Sequence, residues 1–381
     1  MALTGGSGVS PGGNAGPAGM RVLVTGIGTF WGGRAAQIIE QDPSVEIVVG
    51  LDTRAPTVPL ERTEVVRADS SYSILSRLVQ ATEVDTILHS HLEVDSTTIG
   101  SRALHETNVI GTMNLLAAAG APGSSVRKVV LKSSTLVYGS SPKDPYFFGE
   151  DSGRSGPART RVERSLLEVE GYLSDFADDH PDVVVSRLRF SNVLGPDLDT
   201  PLSKALQLPV VPEIFGFDPR LQFTHQDDVL GALCFTARHD VPGIFNVAGD
   251  GTVTWSDVCR IVGRRRVPIS PLGTGVAAGA LRRLGIVDLP PEVQSLLRYG
   301  RGVDNRRFQD AGYRYRYTSA GTVEDFARSL RLRSAVGDRS PAYHYDPVVE
   351  DFFRRSPAVV SRRTSAAPRR PGADRRPPTA G

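Results

Sequence analysis

The chain has 381 residues, enough for one large domain or two smaller ones around a sizeable core. Hydrophobic residues make up 40% and charged residues 23%, which excludes a wholly disordered, collagen-like or coiled-coil protein. Lys+Arg number 44 against 42 Asp+Glu, and a net charge of +2 leaves no global field to draw the molecule to nucleic acid or acidic lipid.

Residues 1–19 are rich in glycine and hold little that could pack, so they read as a disordered leader. They lack a basic n-region and an apolar core, and no run in the chain approaches the roughly 18 apolar residues of a membrane helix. A soluble cytoplasmic protein is expected. From residue 21 the pattern alternates. Strands are predicted over 21–26, 45–52, 64–69, 85–90, 126–134 and 182–189, and helices over 31–41, 71–81, 101–119 and 157–180. In the last of these helices Val162, Leu166, Val169, Leu173 and Phe176 recur every three or four residues, the spacing of one buried face. Strands alternating with helices in this way make a parallel sheet covered on both faces.

Beyond residue 197 the order breaks into short elements punctuated by Pro, Gly and Arg. A smaller, mostly helical lobe is expected over 198–335, with 228–250 returning to the domain formed by 20–197. Cys234 and Cys259 fall in helical stretches and read as two buried thiols; two cysteines build neither a disulfide framework nor a cysteine zinc site. No metal site is expected. Residues 336–381 form a basic Pro/Arg-rich tail with arginine pairs at 362–363, 369–370 and 375–376, read as disordered and solvated. Lysine is scarce: Lys128, Lys132, Lys143 and Lys204 are the only four.

The chemistry begins at the first strand, which runs straight into Thr25-Gly-Ile-Gly-Thr-Phe-Trp-Gly32. Glycine permits a tight turn and lets backbone approach a diphosphate, and the following helix offers that anion its N–H groups and dipole. Asp52 ends the next strand, 26 residues after Gly26, where a carboxylate can accept both hydroxyls of an adenosine ribose. It would repel a 2′-phosphate, which favours NAD over NADP, although Arg54 stands two residues on. Asp69 ends the third strand and could reach the adenine edge. Glycine turn and Asp52 together point to dinucleotide binding on a Rossmann-type doubly wound sheet.

Further motifs follow in order: Asn108-Val-Ile-Gly-Thr112, Ser133-Ser-Thr-Leu-Val-Tyr-Gly139, Asn192-Val-Leu-Gly-Pro196 and Phe223-Thr-His-Gln-Asp-Asp228. With Val-Thr-Gly at 24–26, Asp52 and Asp69, they make the sequence resemble the extended short-chain dehydrogenase/reductases, the NAD-dependent epimerase/dehydratases that include UDP-galactose 4-epimerase. The likeness covers about residues 20–330. It departs from the family's TGxxGxxG spacing, since Thr29 replaces the middle glycine and Gly28 stands one earlier.

The resemblance implies an α/β Rossmann-type fold with a smaller C-terminal substrate lobe, NAD as cofactor and a nucleotide sugar as small-molecule substrate. It also implies a homodimer paired through 101–119 and 157–180. Cofactor contacts would come from Gly26, Gly28, Phe30, Trp31, Gly32, Asp52, Asp69 and Asn108, and substrate contacts from Asn192, Arg220 and Arg301. Arg298 is a further diphosphate candidate. Ser134 matches the family's catalytic serine. The family's Tyr and the Lys four residues after it find no match, because none of the ten tyrosines has a lysine four residues on. The two positions fall near Thr160 and Arg164. A threonine hydroxyl is too weak an acid to replace a phenol, and an arginine does not shed its proton. Glu163 and His91 are the first substitutes to consider, beside Glu150, Asp151, Tyr146 and His89. Two readings follow: an epimerase/dehydratase-type enzyme with an unusual catalytic group, or a non-catalytic NAD(P)- or nucleotide-sugar-binding regulator or redox sensor.

Overall fold

The structure, a computed structural model, describes residues 19–97, 99–269 and 289–336, the side chains of 334–336 excepted. The expected leader up to residue 18 and the basic tail after 336 lie outside the described residues. The described residues up to Leu332 group as one compact unit.

Seven strands form the central sheet: β1 (Met20–Thr25), β2 (Val45–Asp52), β3 (Thr63–Arg67), β4 (Thr86–His89), β5 (Lys128–Ser134), β6 (Val184–Phe190) and, after four short strands, β11 (Gly243–Val247). Their spatial order is β11-β6-β5-β4-β1-β2-β3, and every neighbouring pair is parallel. The order reverses at β1, between β2 and β4. In an open α/β sheet a ligand crevice lies beyond the carboxyl ends of the strands at that point.

Helices cover both faces. α1 (Phe30–Ile39) and α7 (Gln226–Arg238) pack on one, around Val22, Val24, Ile39, Leu88, Val130 and Leu233. α2 (Tyr72–Thr82), α4 (Gly111–Ala119) and α5 (Arg161–Asp179) cover the other, around Leu23, Val79, Leu131, Leu116 and Leu166. The apolar stripe of α5 is buried along its length: Val162, Leu166, Val169, Leu173 and Phe176 all face inward. Burial of a side chain of this size contributes about 1.5–3 kcal/mol, so the stripe rather than helix propensity holds α5 in place. The stretch 101–119 is continuous but not uniform. α3 (Ser101–His105) passes through a π-helical segment, Glu106–Ile110, into α4.

After β6 the chain builds a third apolar cluster from α6 (Pro201–Gln207), α8 (Trp255–Val262), α9 (Pro291–Tyr299) and α11 (Ser319–Val336), centred on Trp255, Phe223 and Phe326. Short strand pairs run among these helices. β7 (Asn192–Leu194) pairs with β10 (Phe223–His225), β8 (Val210–Ile214) with β13 (Arg265–Ile269), and β9 (Arg220–Leu221) with β12 (Val253–Thr254). Each partner lies tens of residues away, so no local pattern announces the pairing. Both cysteines are free and buried, as expected.

Candidate functional site

The crevice is framed first by the glycine turn. Gly26 has φ +75°, a conformation open to glycine at little cost, and a Cβ there would lie 2.9 Å from His91 Cβ. A Cβ on Gly32 would lie 2.2 Å from the Gly26 carbonyl oxygen, so α1 meets the turn backbone to backbone. Thr29 caps the helix: its Oγ1 accepts the Gly32 N–H at 3.1 Å and donates to Gly26 O at 2.7 Å. The first turn of α1 carries no acidic residue that would neutralise its positive end.

Asp52 completes this half. Its buried carboxylate accepts the Gly28 N–H at 3.1 Å and the Arg54 N–H at 2.9 Å, and the Arg54 guanidinium stands 3.7 Å away. A cleft of about 700 Å³ opens beside it, lined by Asp52, Arg54, Asp69, His91, Glu93 and Asn114. Asp69 is exposed on that rim and accepts the Ser71 N–H. Burial pushes the His91 pKa below its usual value, against the pull of Asp52 and Glu93. His89 has both ring nitrogens engaged, 2.6 Å from Thr25 Oγ1 and 2.9 Å from Thr112 Oγ1. Burial drives its pKa down to about 3, so it stays neutral and tethers α4 to the sheet.

A second cavity of about 140 Å³ lies across the 91–95 segment. Ser134, Asn192 and Arg301 line it together, with Trp31, Lys132 and Glu292. It is smaller than the roughly 300–1,000 Å³ of a complete ligand site, so it fits one end of a ligand whose remainder extends beyond it. Ser134 Oγ accepts the Leu136 N–H at 3.2 Å, and its hydroxyl proton is left for another partner. The loop after Ser134 is pinned from below. Tyr138 OH donates to Asn246 Oδ1 and accepts from Arg189, which pairs with Glu170 in the interior. Asn192 donates to Gln222 O at 2.9 Å. Buried Arg301 donates from Nη1 to Gly139 O at 2.9 Å, while its buried Nε has no hydrogen-bond partner. Burial pulls the Arg301 pKa down to about 10, leaving it charged at neutral pH.

Other candidates stand elsewhere. Thr160 is the N-cap of α5, its hydroxyl oxygen accepting the Glu163 N–H, and Arg164 is exposed. Glu163 is buried and paired with Arg154 at 2.7 Å. His91 lines the cleft with Asp52, not the cavity with Ser134. Asn108 is fully buried in the π-helical segment. Its amide binds Glu93 N–H, Glu93 O and Ser165 Oγ, so it holds the 91–95 segment. Exposed Arg220 donates to Tyr146 OH and does not line either space. Lys132 and Glu292 are the cavity residues that sequence motifs missed. The one signal for Lys132 was a lysine placed near the end of an apolar strand, in a chain with three others.

Fold and crevice define a doubly wound α/β protein of Rossmann type. The model of the NAD dependent epimerase/dehydratase family matches residues 22–248, and the chain belongs to that family. An uncharacterized protein of Mycobacterium tuberculosis strain H37Rv is 37% identical over 321 residues, covering 83% of this chain and 85% of its own, as is its counterpart in Mycobacterium bovis. Among solved structures, MoeE5 in complex with UDP-glucuronic acid and NAD superposes with a TM-score of 0.63 at 22% identity, over 82% of this chain and 99% of that one. The Thermus thermophilus UDP-glucose 4-epimerase in complex with NAD gives 0.61 at 20% identity, over 82% and 99%. These likenesses establish the fold. No helix among the described residues is long and apolar enough to cross a membrane.

Proposed function

We propose that the protein binds NAD across the crevice and a nucleotide sugar with its sugar end in the cavity at Ser134, and acts as an oxidoreductase or isomerase of the epimerase/dehydratase kind. The observation that carries this is the glycine turn locked to Asp52 at the topological switch point. The cradle fits the cofactor: Gly26 and Gly32 leave no room for a Cβ, so the turn packs backbone to backbone against α1, and the first N–H groups of α1, at Phe30 and Trp31, are ones a helix leaves unbonded. Asp52 keeps acceptor capacity for ribose hydroxyls and disfavours a 2′-phosphate, which makes NAD the expected form. NAD, when bound, supplies a two-electron acceptor for a carbinol hydrogen.

On the substrate side, Ser134 Oγ orients a sugar hydroxyl. Asn192 and the unpartnered Arg301 Nε face a phosphoryl or other anionic group. The reported complexes of similar structures with UDP-sugars and NAD support this reading. A homodimer accords with the apolar side chains left exposed on the helices of the outer face, Ile110, Met113, Leu167 and Tyr172. The second reading, binding without turnover, is favoured by one observation: the positions near the family's Tyr and Lys hold a helix cap and an exposed arginine.

Calorimetry with NAD, NADP and UDP-glucose tests the proposal. NAD binds more tightly than NADP, and Asp52→Asn weakens NAD by at least about tenfold, roughly 1.4 kcal/mol. No heat with NAD or UDP-glucose would refute it.

A further inference from the structure

We propose that Lys132 is the proton-transfer group of this site, its neutral amine taking the proton of a ligand hydroxyl held by Ser134. The inference rests on the reading of the site given above. Lys132 and Ser134 are two residues apart on β5, so both side chains leave the same face of the sheet, with Cα atoms about 7 Å apart. Both line the same cavity. The Lys132 side chain is buried, and its ammonium lies 5.2 Å from the centroid of the Trp31 ring, on the first turn of α1.

Among the described residues no hydrogen bond or ion pair holds this ammonium. Lys128, four residues earlier on the same face, shows what a structural buried lysine looks like here. It donates to Ala237 O at 3.0 Å and pairs with Asp240 at 2.7 Å. An unpartnered buried charge is expensive unless it can shed its proton. Burial brings the Lys132 pKa down from 10.5 to about 8, against the pull of Glu93. Glu93 acts from the segment after β4, and Glu292 and Arg301 face the cavity from α9 and the stretch after it. Trp31, Ser191 and Asn192 on the remaining walls are uncharged. An amine so placed is neutral in a useful fraction near neutral pH, as a general base needs. In the step, the hydroxyl O–H breaks and its proton bonds to Nζ. The carbinol C–H leaves as hydride to NAD, the two-electron oxidant, and the C=O bond forms. Reversal returns both hydrogens.

The test uses the full-length protein without ligand first. Competitive acetylation with acetic anhydride across pH, read by peptide mass spectrometry, reports all four lysines in one digest. Lys132 is expected to become reactive with a midpoint near 8, with exposed Lys143 and Lys204 as internal references in the same digest. A Lys132 midpoint at the ordinary value would overturn the proposal. Lys132→Arg keeps the charge but does not release its proton. It should bind NAD and UDP-glucose as the parent does, yet reduce bound NAD about 100- to 10,000-fold more slowly with whichever of UDP-glucose, UDP-glucuronic acid or UDP-N-acetylglucosamine the parent oxidises. Parental rates in Lys132→Arg would overturn the proposal and make the amine a fixed anion anchor. Binding without NAD reduction by any of the three in the parent would also overturn it, leaving the binding reading intact. Absence of binding in the parent would instead refute the reading of the site itself.

Discussion

Replacing Lys132 by methionine isolates the energetic consequence of burying an ammonium with no anionic partner. Well below pH 8 the lysine is protonated in both folded and unfolded chains, so the folded state carries the whole penalty. Between about 8 and 10.5 the folded protein gives up the proton while the unfolded chain retains it, and stability rises with pH. Above the unfolded value both are neutral and the penalty is gone. A displacement from 10.5 to about 8 corresponds to about 3 kcal/mol. The cation–π contact with Trp31 is lost in the variant and offsets about 0.5–2 kcal/mol of the gain. Methionine fills a similar length of cavity wall without the charge. Lys132→Met is therefore expected to be more stable than the parent at pH 7 by about 1–3 kcal/mol, with the gap closing as pH approaches 10.5. Urea unfolding of both proteins, followed by circular dichroism over that pH range, measures the difference, in which the titration of every other group cancels. A parent more stable at pH 7, or a gap independent of pH, would show that the ammonium has a partner after all.

Three further outcomes follow from the geometry. Gly32→Ala places a methyl 2.2 Å from the Gly26 carbonyl, so the turn must shift; thermal melts should show a loss of about 1–3 kcal/mol, and calorimetry weaker NAD binding. Arg301→Ala removes the cation with the unpartnered Nε, and UDP-glucose affinity should fall roughly ten- to hundredfold while NAD affinity holds; equal losses for both would place Arg301 in a purely structural role. Met113→Glu combined with Leu167→Glu puts charge on the exposed face of α4 and α5, and sedimentation should show a monomer, against the dimer proposed for the parent.

Most of the sheet was legible because its signals are local. The buried parallel strands read as short apolar runs, and α5 carries its stripe at helical spacing. The glycine turn and Asp52 were legible for the same reason: each is a residue type at a strand end, and the structure joins them through the Gly28 N–H. The C-terminal strand pairs were not, since Val210–Ile214 meets Arg265–Ile269 across some fifty residues of chain and neither run alternates clearly.

Side-chain roles in the site divide along the same line. From its motif alone, Asn108 is a cofactor ligand; only packing shows its amide fully taken up by Glu93 and Ser165. Glu163 fits a list of catalytic substitutes until the start of α5, capped by Thr160, is seen to pair it with Arg154. Lys132 has no motif at all. Its chemistry comes from burial with no ion pair or hydrogen bond among the described residues, which depends on which residues α1, β4, β6 and α9 bring to the end of β5. Local pattern therefore determined the elements and the nucleotide-binding turn, because hydrophobic period and backbone conformation are properties of neighbouring residues. Tertiary structure decided which polar groups are satisfied and which are left to react, because hydrogen bonding and desolvation depend on distant segments meeting.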